Sequence, residues 1–237
     1  MEHWLRQSRS SRNRPRIAVS IAARTVKDAA RMIQTAKRLG GDIAEIRLDF
    51  LEREGSLRRI VQAGNLPLIA AYRSSPGRSH PSEAKRLEVL FSAAEAGFDY
   101  VDVGLETTGL VAVLDKLHNL GVETIVSHHD FEKTASRTQL NRILHKCRRF
   151  DTILTKLVTT ATTLEDNLRL LSFTQEASRD GALICFGMGK LGIHSRVFSP
   201  IYGASFTFAS LDENTATASG QLSVETMWKI YRMMGYS

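Results

Sequence analysis

From Arg16 onward the chain alternates eight short runs of strand formers with segments whose apolar residues recur at helical spacing. That alternation limits the fold more than any other feature of the sequence. The strand-like runs are Arg16–Ser20, Ile43–Leu48, Pro67–Ala71, Tyr100–Val103, Glu123–Ser127, Thr152–Val158, Ala182–Phe186 and Ser205–Phe208. Between them lie stripes read as core-facing: Val26, Ala29, Ala30 and Ile33; Leu87, Leu90, Phe91 and Ala94; Leu110, Val113, Leu114 and Leu117; Leu140, Ile143, Leu144 and Cys147; Leu164, Leu168 and Leu171. A last helix carries Val224, Met227, Trp228 and Tyr231. Thr25-x-x-Asp28 and Thr163-x-x-Asp166 can cap helix starts, and Gly40, Gly97 and Gly121 follow helix ends. The helical pattern is thinnest between the second and third strands and after Gly192. Eight such units in 237 residues, with 43% hydrophobic content, predict one (β/α)8 TIM barrel over residues 16–237. No glycine-rich nucleotide fingerprint at the first turn argues for an open doubly wound sheet.

Residues 1–15 read as a basic tail, expected to be poorly ordered, with Trp4 its one large apolar group. This segment lacks the apolar core of a secretory signal, and no later stretch is long enough to span a bilayer. A cytoplasmic protein is expected, with no membrane partner. Cys147 and Cys185 give neither metal spacing nor a disulfide framework and read as core residues, in keeping with a reducing compartment. The net charge of +7 and pI near 9.6 suit either a polyanion or a small-anion site plus a basic tail. Aromatic residues are 7% and do not interleave with the basic ones, which argues against nucleic acid.

Chemistry gathers at the C-terminal ends of the strands, where a barrel carries its active site. Thr152–Thr160, TILTKLVTT, sets Lys156 inside a run of strand formers. Burying an ammonium ion costs several kcal/mol unless it is paired or deprotonated, and the free amine attacks carbonyls. Taken alone, the stretch favours an edge-strand lysine pointing to water. Other strands reverse that reading. Ser20 ends the first. On the second, Glu45 and Arg47 share a face with Ile43, opposite Ala44, Ile46 and Leu48, which places both charges in the barrel mouth. Arg73 follows the third and Ser127-His128-His129-Asp130 ends the fifth, with His128 and His129 pointing apart. Arg196 follows the seventh and Gln221 the eighth. A strand-borne amine, a histidine and arginines with a glutamate describe a carbonyl-activating lyase acting on a small polyhydroxylated acid.

The motifs EIRLDF at Glu45–Phe50, YRS around Arg73, SHHDF at Ser127–Phe131, TKL around Lys156, MGKLGIHSR ending at Arg196, FTFAS at Phe206–Ser210 and the GQ of Gly220-Gln221 together resemble the type I 3-dehydroquinate dehydratases. The resemblance runs in order from Ser20 to the last helix. It implies the third step of the shikimate pathway, the carbon-oxygen lyase reaction from 3-dehydroquinate to 3-dehydroshikimate and water, with no metal or cofactor. Lys156 would form the Schiff base and His129 act as general acid and base. Glu45, Arg47 and Arg73 would bind ring hydroxyls, Arg196 and Gln221 the carboxylate, and Ser20 and Thr217 would line the pocket. A small-molecule substrate follows from the resemblance, and a homodimer is an assembly found in related enzymes. A class I Schiff-base aldolase with a phosphate turn at Gly187–Gly192, or a ligand-binding homologue with impaired turnover, are the alternatives.

The chain departs from the family pattern in three places. Gly77 stands where the family carries a glutamate supporting the histidine, and Glu83 is the nearby residue able to substitute. The closing loop Thr217-Ala218-Ser219-Gly220-Gln221 lacks the family's proline. Thr159-Thr160-Ala161 replaces a methionine-rich turn.

Overall fold

The computed structural model describes residues 14–52, 56–64, 66–73 and 82–237. The expectations placed on Trp4 and Gly77 lie outside the described residues. Eight parallel strands form the sheet in the order β7-β6-β5-β4-β3-β2-β1-β8. They are β1 (Ile17–Ile21), β2 (Ile43–Arg47), β3 (Leu68–Ala71), β4 (Tyr100–Gly104), β5 (Glu123–His129), β6 (Leu154–Thr160), β7 (Leu183–Met188) and β8 (Thr207–Ser210). Helices alternate with them: α1 (Val26–Arg38), α2 (Arg58–Ala63), α3 (Glu83–Ala96), α4 (Leu110–Asn119), α5 (Arg137–Cys147), α6 (Glu165–Ala177), α7 (Ile193–Phe198) and α8 (Val224–Met233). β1 pairs with both β2 and β8. Between β8 and β7 the sheet is joined by the Ser205 N–H, which donates to the Leu183 carbonyl at 2.8 Å, so the barrel is nearly closed.

Two apolar layers hold this frame. Outward-facing strand residues such as Val19, Ala44, Ile46, Val101 and Leu157 pack beneath the helices, joined by Ile33, Leu90, Leu117, Leu140 and Met227. Inward-facing residues fill the lower lumen, among them Ile43, Ile69, Ile125, Ile184 and Phe206. Both cysteines are free and buried. The Thr25 hydroxyl accepts the Asp28 N–H at 3.0 Å as the N-cap of α1. Gly40, Gly97 and Gly121 adopt positive φ after their helices. The two thin helical segments become α2 and α7, each six residues long.

Two local readings change. At α6 the Asp166 carboxylate accepts the Thr162 and Thr163 N–H groups at 2.8 and 3.1 Å, so the acid rather than Thr163 caps the start. Leu164 and Leu168 are 56% and 71% exposed, not core-facing. The face that packs on β7 is instead Leu170, Phe173, Thr174 and Ala177, a stripe at i, i+3, i+4 and i+7 rotated from the leucines, with Leu171 at its edge. At the lower end Arg14 pairs with Asp42 at 2.6 Å and its guanidinium lies 4.7 Å over the Trp228 ring of α8.

Candidate active site

Side chains facing the lumen change character along the strands. The lower row is Ala18, Ile43, Tyr100, Ile125, Leu154, Ile184 and Phe206. Two residues further along each strand, the same face presents Ser20, Glu45, Asp102, Ser127, Lys156, Phe186 and Phe208. A third step brings Arg47, His129, Val158 and Met188 to a cavity of about 590 Å³ at the C-terminal ends of the strands, joined by Arg73, Arg196 and residues 216–219 and 221 of the loop after β8. The apolar floor excludes water from below, and the polar row above it is held by its own bonds.

Those bonds form one chain across the mouth. The Lys156 amine, 4% exposed on a strand flanked by β5 and β7, donates to Glu45 Oε2 at 2.9 Å and Asp102 Oδ2 at 3.0 Å and lies 4.1 Å over the Phe208 ring. Ser20 donates to Glu45 Oε1 at 3.0 Å, and the Thr217 hydroxyl stands 2.9 Å from Ser20 Oγ. Gln221 Oε1 accepts the Thr217 N–H at 2.8 Å. On the other side Ser127 donates to Asp102 Oδ1 at 2.6 Å, while Arg73 Nη2 bonds Asp102 Oδ2 and Ser127 Oγ. Arg47 meets Asp49 through Nε and Nη2 at 2.9 and 2.8 Å, and Asp49 also accepts the Arg73 N–H at 3.3 Å.

Electrostatics follow from this pairing. Burial pushes the Glu45 carboxyl up, but Lys156, Arg47 and Arg73 outweigh it and hold it below the usual range. Asp102 is opposed by burial too, and Arg73, Lys156 and His129, with the Ser127 bond, hold it far below. His129 is pushed well below the ordinary imidazole value by burial, then by Arg73 and Lys156, with His128 adding and Asp102 opposing. Its base form therefore persists at neutral pH. Formally, four cations (Lys156, Arg47, Arg73 and Arg196) face three carboxylates (Glu45, Asp49 and Asp102), leaving one positive charge for a ligand to neutralise.

That charge falls on Arg196. Its side chain on α7 is 2% exposed, its guanidinium carbon lies 4.4 Å over the Phe186 ring, and Nε and Nη2 have no partner among the described residues. Burial draws it down to about 10, with Glu45 opposing. Nε and one terminal nitrogen are the edge of a guanidinium that meets a carboxylate with two parallel bonds. The loop opposite is latched: the Gly189 N–H donates to the Ser219 carbonyl at 3.0 Å, and Gly220, at φ +74°, lies so close that an added Cβ would meet the Gly189 oxygen at 2.1 Å.

The residues that the resemblance assigns to catalysis or substrate binding line this cavity: Ser20, Glu45, Arg47, Arg73, His129, Lys156, Arg196, Thr217 and Gln221. His129 stacks on Phe131 with centroids 6.0 Å apart, and His128 turns away, its Nδ1 3.6 Å from Glu106. Glu83 does not reach the histidine. It sits in the first turn of α3, where its carboxylate accepts the Thr108 N–H at 3.1 Å and pairs with Arg86 at 3.2 Å. Asp102, Asp49 and the two phenylalanines under the cations escaped the sequence reading. The signal for Asp102 was present, since Tyr100 and Asp102 share the inward face of a strand as Ile43 and Glu45 do.

Known proteins resemble this chain over nearly its whole length. The family profile described as type I 3-dehydroquinase matches residues 17–237. A 3-dehydroquinate dehydratase of Dehalococcoides mccartyi is 35% identical over 203 residues, covering 85% of this chain and 90% of the relative. One from Methanococcoides burtonii is 33% identical over 232 residues, covering 93% and 95%. The crystal structure of the type I 3-dehydroquinate dehydratase of Clostridium difficile, with covalently modified comenic acid, superposes with a TM-score of 0.81 at 25% identity, covering 93% of this chain and 92% of that one. Profile, relatives and barrel agree over nearly the whole length, and the chain belongs to the type I 3-dehydroquinase family of enzymes.

Proposed function

We propose that the chain dehydrates 3-dehydroquinate to 3-dehydroshikimate through an imine on Lys156, with His129 moving the protons. The observation that carries this reading is the buried Lys156 amine, held between Glu45 and Asp102 in a cavity that His129 and the unpaired Arg196 also face. Arg196 takes the substrate carboxylate, with the Gln221 amide beside it, and brings the ring ketone to Lys156. Arg47, Arg73 and Glu45 hold the ring hydroxyls, and Ser20 and Thr217 close the wall beneath the loop. Condensation of amine and ketone releases water and leaves a protonated imine that acidifies the adjacent C–H. His129, a free base for the reason given above, takes that proton; the enamine expels the β-hydroxyl, and His129 returns the proton to the departing oxygen. Hydrolysis of the imine then restores the amine. The Phe208 ring lies against the reacting nitrogen and the Phe186 ring against the guanidinium, each covering one side of its cation with a π face.

An aldolase would need a phosphate cradle, and the candidate turn is already occupied by the protein itself. The Gly187, Gly189 and Gly192 N–H groups bond Ser195 Oγ, Ser219 O and Gly189 O at 2.9, 3.0 and 3.0 Å. The test of the reading is borohydride added during turnover of 3-dehydroquinate. A ligand-sized mass is expected on the peptide containing Lys156, absent in Lys156→Ala. His129→Ala should still trap the adduct while kcat falls about a hundredfold to ten-thousandfold, the usual range for a general acid-base residue. A label on another lysine, or full activity without label, rules the imine out. The basic segment ahead of residue 16, a cytoplasmic setting and a homodimer complete the proposal; among the described residues no helix is long and apolar enough to cross a membrane.

A further inference from the structure

Two buried carboxylates hold the Lys156 amine, and their surroundings differ. Glu45 has its second oxygen on the Ser20 hydroxyl, which leads through Thr217 to the loop after β8. Asp102 is held on both oxygens from the opposite side: Oδ1 takes the Ser127 hydroxyl at 2.6 Å, and Oδ2 takes Arg73 beside the Lys156 Nζ bond at 3.0 Å. Ser127 stands in register with Lys156 across the β5–β6 ladder and two residues before His129 on the same strand. Asp102 therefore ties the amine to the strand that carries the histidine, whereas Glu45 ties it to the substrate-facing loop.

The bookkeeping of N–H groups separates them further. An ammonium condensing with a ketone gives water and an iminium, so two of its three N–H protons leave with the ketone oxygen and one remains. Two carboxylates that each accepted an N–H are left with a single donor between them. Resting on the imine reading above, we propose that Asp102 is the positioning residue of the reacting nitrogen: it holds the amine for attack and keeps the remaining iminium N–H, while Glu45 is released to accept a ring hydroxyl. Asp102 suits the fixed role because Ser127 and Arg73 anchor it independently of the lysine. Glu45 suits the released one because it lines the cavity with a single other anchor.

Steady-state kinetics with borohydride trapping, run on the full chain as wild type, Asp102→Asn and Glu45→Gln, separates the roles. Asp102→Asn should lower kcat at least thirtyfold with KM changed less than fivefold, and the rate of trapping at Lys156 should fall in parallel. Glu45→Gln should act mainly on KM. A folded Asp102→Asn enzyme with kcat within threefold of wild type, or with a loss wholly in KM, overturns the proposal. If that variant does not fold, Ser127→Ala decides: it keeps the charge but removes an anchor, and unchanged kcat and trapping rate overturn the idea. Failure of wild type to trap at Lys156 sinks the imine reading itself, a result distinct from any of these.

Discussion

The pH behaviour of His129 is set by its burial and then by its charged neighbours. Its folded value lies below the ordinary 6.5, so the unfolded chain binds a proton first as the pH falls. The stability that rests on a neutral His129 is fully present above the unfolded value and is lost on acidification, by up to about 1.4 kcal/mol per pH unit below that point. The melting temperature should accordingly decline between about pH 6.5 and 5, and His129→Asn should flatten the decline. Equal slopes in the two proteins would show that the histidine is not held neutral by the fold. The acid limb of kcat is expected below the ordinary imidazole value for the same reason. Much of this constellation was legible residue by residue, because the period-two face of β2 set Glu45 and Arg47 opposite apolar neighbours and Lys156 stood alone in a run of strand formers. What the sequence could not state is pairing. Lys156 meets Glu45 across 111 positions and Asp102 across 54, and only closure of the barrel makes those three side chains adjacent.

Among the elements, the loop between β8 and α8 has the narrowest tolerance. Gly220 combines a left-handed φ of +74° with backbone contact to Gly189, so a methyl group there has neither conformation nor room. Gly220→Ala should displace the loop, break the Gly189–Ser219 bond and pull Thr217 and Gln221 from the cavity wall. We expect KM to rise at least tenfold, worth about 1.4 kcal/mol of binding, with kcat reduced less. An unchanged KM would mean the loop contributes nothing to substrate binding. The helix α6 shows why an apolar spacing can mislead. Leu164, Leu168 and Leu171 fit helical periodicity as well as Leu170, Phe173 and Ala177 do, and the choice between the two faces is made by contact with β7. Polar Thr174 and Asn167 sit on the buried face because their side chains bond backbone carbonyls, Thr174 to Leu170 at 2.7 Å and Asn167 to Leu191 at 2.8 Å. Binary patterning counts such residues as surface.

For the whole molecule, the division of the lumen into an apolar floor and a charged upper row separates what holds the barrel from what reacts in it. The alternation of eight units was enough to read the first. The second depended on strand ends whose limits shifted by up to two residues, as where the eighth run begins at Thr207 rather than Ser205 because Ser205 bonds β7 instead of β1. The floor also brings the two ends of the described chain together. Arg14 rests on Trp228, and Arg14, Pro15 and Tyr236 line one small recess on the face opposite the reacting groups. A circular permutant that joins these ends by a short flexible linker and opens the chain at the turn after α4, beside Gly121, would keep every strand in its place in the ring. Such a permutant should fold, with KM close to the parent's. If it melts before assay, the order in which the strands leave the ribosome, and not only their final neighbours, matters to closing this barrel.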